Sequence, residues 1–459
     1  MKKVHKSEHT NQIDMLHGEL FRKILTFAIP VAASSILQQL FNSADVAVVG
    51  RFAGSQAMAA VGGNSSVISL LINLFVGLSV GANVVIAHYI GQHNTEKVQE
   101  VIHTVMSMAI ISGVFLMILG LCVAEPILRF MDTPEDVIGL ATIYLRIYFV
   151  GMPFIMVYNF GSAILRSVGD TKRPMFALFI AGIVNICLNL LLVIVFHLSV
   201  AGVAIATVIA DIISAGILLH YLTNESELLR FNLHKLTLKR EHVLHVVRIG
   251  APAGIQGMVF SLSNVCIQTA INGFGSDAVA GSAAAVNFEF FTYYVTSSFS
   301  QAAVTFTSQN YGAGQYDRCK KIFRVSLFSG VAATFLMSTA FILGRSFFIR
   351  FYTVDETVIE YALIRLLHVE LFAFLPVLYE VGSGALRGIG YSLLPAILTL
   401  IGSCALRFVW VYTVFANHNS FDMLMNVYPI SWVITATMVL GSYFVIRRKL
   451  FQQSKGSML

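Results

Sequence analysis

Charge is what this chain of 459 residues lacks most: Asp, Glu, Lys and Arg together make up 12% of it, about half the share a soluble domain carries. The deficit runs along almost the whole length, while 56% of the residues are hydrophobic and the mean hydropathy is +0.76. A soluble protein this apolar could not cover its own surface, which excludes an ordinary cytosolic enzyme, and a disordered chain needs far more charge. Cysteine is sparse as well. Cys122, Cys187, Cys266, Cys319 and Cys404 stand far apart, with no CxxC and no Cys/His pair at zinc spacing, so neither a disulfide framework nor a metal site is expected. The formal charge of +6 and the pI near 9.0 come from short basic clusters between apolar runs. That pattern reflects membrane topology, and no nucleic-acid partner is expected. The remaining class is the integral membrane protein.

A membrane-crossing helix needs about 20 mainly apolar residues. Six such stretches fall near 24–49, 61–89, 101–124, 138–162, 175–197 and 201–222, and six more near 243–272, 278–309, 322–344, 358–383, 393–416 and 424–446. Barrel strands would be about 10 residues of alternating pattern, which these are not. The first 23 residues are polar, so the start does not read as a cleaved signal. It reads as a cytoplasmic tail whose amphipathic end (Met15, Leu16, Leu20, Phe21) runs into the first span. With that tail inside, 23 of the 30 basic residues fall on the inner side, six at outer ends (Arg365 among them), and Arg407 within a span. By the positive-inside rule both termini are cytoplasmic, in a multi-pass protein of the plasma (cytoplasmic) membrane. The expected organisation is a tail (1–23), an N-terminal six-helix lobe (24–222), a cytoplasmic linker (223–242), a C-terminal six-helix lobe (243–446) and a tail (447–459).

The two halves repeat. GSAILRSVG (161–169) matches GSGALRGIG (382–390) at an offset of 221, which Pro174 and Pro395 keep, as do Gly91 and Gly312; Pro30 and Pro252 lie early in the first span of each half at an offset of 222. Six is an even number, so the repeats are parallel and related by a pseudo-two-fold axis along the membrane normal. Such two-lobed folds are transporter architecture, with one lobe rocking against the other around a central site. Pro30 and Pro252 each remove a backbone hydrogen bond and permit a bend, either a fixed packing kink or a moving hinge.

Five segments carry a family likeness: FAIPVAASSILQQLFNSADVAVVGRFAGSQAMAAVG (27–62), ILRSVGDTKRP (164–174), VAGVAIATVIAD (200–211), TSQNYGAGQYDR (307–318) and ALRGIGYSLLPA (385–396). In these, across essentially its whole length, the chain resembles the multidrug and toxic compound extrusion (MATE) family. The resemblance implies a twelve-helix, two-lobed antiporter that exports amphipathic, often cationic compounds, driven by inward Na+ or H+. It also implies an ion site in the first lobe: an Asp on span one, an Asn and an Asp one turn apart on span five, and a Thr on span six. Here these positions hold Asp45, Asn185, Asn189 and Thr207. An asparagine thus stands where the family pattern has its second aspartate.

Asn185 and Asn189 share one helix face, and so do Thr207 and Asp211, each pair being four apart. Asp211 lies near the bilayer midplane, where an aspartate costs about 2.5–3.5 kcal/mol to insert. It is expected to supply the carboxylate that Asn189 lacks, completing an oxygen-rich pocket for Na+, or for H+ on one desolvated carboxyl. The blander readings place Asp45 in water at the outer interface, give Asp211 a structural hydrogen bond, and make the asparagines interhelical glue.

In the second half Glu289, Glu370, Glu380 and Arg407 lie in apolar sequence. The blander expectation is an internal ion pair of Arg407 with Glu370 or Glu380; the functional one is that one of these acids, Glu289 before Glu370, attracts a cationic substrate or carries a proton. Cavity-lining candidates are Gln38, Gln39, Asn42, Asn64, Asn73, Asn264 and Gln268, with an aromatic run (Phe288, Phe290, Phe291, Tyr293, Tyr294) suited to a planar cation. The loops at Arg166 and Arg387 read as headgroup anchors. No cofactor is expected beyond the coupling ion, and a monomer suffices. A lipid-linked saccharide flippase of the same superfamily is the nearest rival, but it should line its cavity with bases. An intramembrane enzyme is the remote alternative: it would need a motif such as HExxH, which is absent.

Overall fold

The computed structural model describes residues 11–131, 133–350 and 353–456; the ends of both expected tails, 1–10 and 457–459, lie outside the described residues. Helices follow one another in the order α1 (Leu20–Phe52), α2 (Ser55–Gly91), α3 (Thr95–Phe130), α4 (Glu135–Val150), α5 (Met152–Ser167), α6 (Lys172–Leu190), α7 (Ser199–Thr223), α8 (Arg240–Asn272), α9 (Ser276–Gly312) and α10 (Tyr316–Leu343). Then come α11 (Arg345–Arg350), α12 (Glu356–Glu370), α13 (Phe374–Gly388), α14 (Leu393–Thr399), α15 (Leu406–Trp410), α16 (Phe421–Met425) and α17 (Val427–Gly456). π-helical turns continue α6 over Leu191–Val195 and flank α15 over Leu400–Ala405 and Val411–Phe415.

Among the described residues nine helical segments are long and apolar enough to cross a membrane, and two bent pairs bring the number to eleven. The expected eighth span corresponds to the 37-residue α9, whose many Ser, Thr and Gln residues dilute its apolar character. Two spans expected to be continuous are broken. α4 and α5 meet at 48°, and α12 and α13 at 45°. Pro153 opens α5 and Pro376 lies in the first turn of α13; neither offers an N–H to continue the preceding helix. The repeat seen in sequence recurs as geometry. Gly169 and Gly390 follow the ends of α5 and α13 with φ of +84° and +92°, and their N–H groups reach Arg166 O at 2.8 Å and Arg387 O at 2.9 Å. A left-handed residue at a helix end favours glycine, which has no Cβ to clash.

The described residues form two compact units, one of residues 11–14, 33–131 and 133–251, the other of residues 15–32, 252–350 and 353–456. They depart from the sequence halves at two segments, because the beginnings of α1 and α8 belong with the opposite half. In the first unit Gly250 of α8 lies so close to α2 that a Cβ on it would come within 2.6 Å of Leu78 Cα. In the second, Phe27 of α1 is fully buried and meets Phe306 of α9 edge-on at 5.7 Å. Met15 is buried too, and its carbonyl accepts from Asn310 and Arg318 at 3.1 Å each.

The first unit's core centres on Met106, Leu116, Leu145, Phe149 and Phe160, all fully buried. The polar linker docks on it: Leu229 and Phe231 are buried, Gln99 of α3 donates to Glu227 O and Leu228 O, and Asn232 N donates to His103 Nε2.

Candidate functional site

Four of the five expected ion-site residues meet inside the first unit. Asp45 comes from α1, Asn185 and Asn189 from α6, and Thr207 from α7. Gly182 makes the approach possible: a Cβ there would lie 1.8 Å from the Phe41 ring, so its absence lets α1 pack against α6. One turn onward Asp45 then comes alongside Asn185 and Asn189. Asp45 is 5% exposed; it is buried in protein and does not sit in water at the outer interface. Asn189 Nδ2 donates to its Oδ1. Thr207 Oγ1 lies 3.3 Å from its Oδ2 and 3.0 Å from Val203 O, its one proton shared between them. Asn185 Nδ2 donates to Thr207 Oγ1 at 3.3 Å, and Asn189 Nδ2 also reaches Asn185 Oδ1 at 3.1 Å.

Asp211 does not join them. It lies one turn beyond Thr207 on α7, but its Oδ2 turns toward the break between α4 and α5, 3.5 Å from the Cβ position of Gly151. This oxygen is buried and has no hydrogen-bond partner among the described residues. The expected five-residue pocket is therefore a four-residue cluster plus a separate carboxylate. The structural hydrogen bond proposed as the blander role of Asp211 is likewise not formed by Oδ2. Asn189 Oδ1 is also buried and receives no hydrogen bond from the described residues. The groups that hold Asp45 are all neutral, and the donor set of the cluster is all oxygen: carboxylate, amide and hydroxyl. Hard cations prefer such ligands, and a proton would satisfy a buried carboxylate equally well.

The second unit corrects several expectations. Arg407 pairs with neither Glu370 nor Glu380; its Nη1 donates to Asn264 Oδ1 at 2.7 Å. Glu289 is taken by Arg365, with Nε to Oε1 at 2.6 Å and Nη2 to Oε2 at 2.9 Å. A bidentate pair of this kind leaves Glu289 no oxygen free of the guanidinium. Glu370, fully buried, holds the Thr292 hydroxyl at 3.0 and 3.1 Å. Arg365, read from sequence as an outer-end residue, is 5% exposed and also donates to the Tyr428 hydroxyl at 3.2 Å. Its setting in YALIRLLHVE (361–370), largely apolar on both sides, is the signal for burial. Arg387 is no headgroup anchor either: it is buried and donates to Gln256 of α8.

The cavity candidates scatter. Gln38 and Asn42 of α1 are exposed, as are Asn264 and Gln268 of α8, and Asn73 is half-buried on α2. Asn64 is consumed structurally, donating to Ala141 O at 2.9 Å. Phe288 and Phe291 pack on Phe341, leaving Phe290 and Tyr293 as the exposed members of the aromatic run. Pro30 and Pro252 both lie inside helices, α1 and α8.

The sequence model of the MatE family matches residues 30–191 and again 252–413, one match per half. A probable multidrug resistance protein of Bacillus subtilis, YoeA, is 28% identical over 94% of this chain and 95% of its own length. A probable multidrug resistance protein of Thermotoga maritima, NorM, is 27% identical over 83% of each. A solved outward-facing multidrug resistance MATE family transporter of the MOP superfamily superposes with a TM-score of 0.89 at 21% identity, covering 97% of this chain and all of that one. The fold is thus the twelve-helix, two-lobed one.

Proposed function

On the premise that the chain belongs to the MatE family, of multidrug efflux transporters, we propose that it is an antiporter exporting amphipathic, cationic small molecules across the cytoplasmic membrane in exchange for Na+ or H+. The observation that carries the coupling is the Asp45 cluster. A carboxylate 5% exposed is held by two asparagines and a threonine and by no basic residue among the described ones. An uncompensated charge in that setting is costly, so the compensating cation comes from outside, as Na+ ligated by Asp45, Asn185, Asn189 and Thr207 or as a proton on Asp45. Asn189 Oδ1 is the acceptor that an entering cation would satisfy. Asp211, one turn beyond Thr207 on α7, is a second acid able to receive a cation as it passes. Rocking of the lobes, with α1 and α8 yielding at Pro30 and Pro252, would alternate the cluster between the two sides.

Purified protein in liposomes, loaded with ethidium and given first a Na+ gradient and then a pH gradient, tests this. Wild type should move the dye under one gradient, and Asp45→Asn should bring transport down to that of empty vesicles. Failure of wild type under both gradients overturns the antiporter reading. Unchanged coupling in both Asn185→Ala and Asn189→Ala removes the cluster from it.

A further inference from the structure

Arg407 is a buried charge in the second unit that no acid neutralises. It is 1% exposed, it lies in the middle of the 393–415 span, and among the described residues no carboxylate comes within ion-pair reach of it. Glu289 is occupied by Arg365 and Glu370 by Thr292. The guanidinium lies over the rings of Phe260 and Tyr428, each ring centre 4.9 Å away, a contact that attracts a cation without discharging it. Its Nε is buried with no hydrogen-bond partner among the described residues. π-helical turns on both sides of α15 mark a helix distorted to present this residue, and such turns gather at functional positions.

Among the described residues, the one side chain that accepts from Arg407 is Asn264. Arginine has no acceptor, so the amide oxygen must point inward and the NH2 group outward. Asn264 is exposed, and its Nδ2 makes no hydrogen bond among the described residues. It heads a polar stripe on one face of α8, followed by Gln268 and Asn272, both exposed and joined at 3.0 Å. The internal repeat adds an independent observation. Asn264 is the counterpart of Asn42 at an offset of 222, Tyr428 is the counterpart of Thr207 at 221, and Arg407 falls one residue past the counterpart of Asn185. The helices that hold an acid in the first unit thus correspond to helices that hold a base in the second.

We propose that Asn264, aimed and polarised by Arg407, recognises a carboxylate or phosphate group on an amphipathic cargo. Asn264 makes the contact and Arg407 is the positioning residue. This rests on the exporter reading and adds a preference within its substrate class, for compounds that carry an anionic group beside the cation, zwitterions among them. A hydrogen bond to a charged partner favours the anion by about tenfold or more over a neutral analogue.

The test uses the whole protein with a matched pair of probes, norfloxacin and its methyl ester, which differ in the carboxylate. Binding is measured in detergent, and export in liposomes of zwitterionic lipid. Wild type should prefer the acid by about tenfold. Asn264→Leu and Arg407→Gln should abolish that preference, and Arg407→Lys should restore part of it, which a merely structural role would not. An acid-to-ester ratio unchanged by Asn264→Leu overturns the proposal even when ethidium is exported normally, whereas loss of all export in wild type strikes the exporter reading instead. Titration with phosphatidylglycerol separates the two sources of such an anion. Lipid binding that Asn264→Leu weakens, with no preference between the two probes, would make this a lipid site and overturn its role in cargo selection.

Discussion

Arg365 and Glu289 are tied by two parallel hydrogen bonds with side chains only 6% and 15% exposed. Removing one partner leaves the other charged and buried, which costs about 3–5 kcal/mol. Glu289→Gln should therefore lower the melting temperature sharply, while the double variant Glu289→Gln/Arg365→Gln should lose less than the sum of the singles. A thermal melt of all four proteins in one detergent checks this, and additive losses would show that the pair is not coupled. The same residues show where sequence reading stops. The span positions of Glu289, Glu370, Glu380 and Arg407 were legible, because any charge in an apolar run stands out. Their partners were not, since pairing depends on which helix faces meet. Asp211 meets the same limit one level lower: periodicity puts it on the face of Thr207, yet its rotamer turns Oδ2 toward Gly151.

Helix packing in this chain hangs on missing side chains. A Cβ at Gly250 would meet Leu78 Cα at 2.6 Å and Gly77 O at 2.8 Å, so Gly250→Val must push the start of α8 off α2. Overpacking of this kind costs about 1–3 kcal/mol. Among the described residues nothing beyond its own helix backbone comes within 4 Å of a Cβ at Gly216 in α7, and Gly216→Ala should instead stabilise by about 0.5–1 kcal/mol through backbone entropy. Melting curves of the two variants should move in opposite directions; a shared direction would mean that α8 does not rest on α2. Twelve spans and their repeat could be read from hydropathy and the 221-residue offset. The bends at 48° and 45° could not, because proline near a helix start is compatible with both a straight and a broken span.

At the scale of the whole molecule, cutting the sequence in the middle does not separate the units. Residues 15–32 belong to the second unit and residues 240–251 to the first. A chain divided after Lys235 should give two fragments that are each protease-sensitive when expressed alone, since each lacks a helical arm of its own unit and carries one that belongs elsewhere. Expressed together they should become resistant. Resistance of either fragment by itself would show that the arms contribute little.

The passage of α1 and α8 from one unit to the other lies within three residues of Pro30 and at Pro252 itself. Each of these rods is anchored at both ends in different bodies, like a tie-bar, and each is weakest where a missing amide proton interrupts its ladder. Were one body to turn against the other, the strain would reach it through intact backbone, and these two imino acids are where that backbone would yield first.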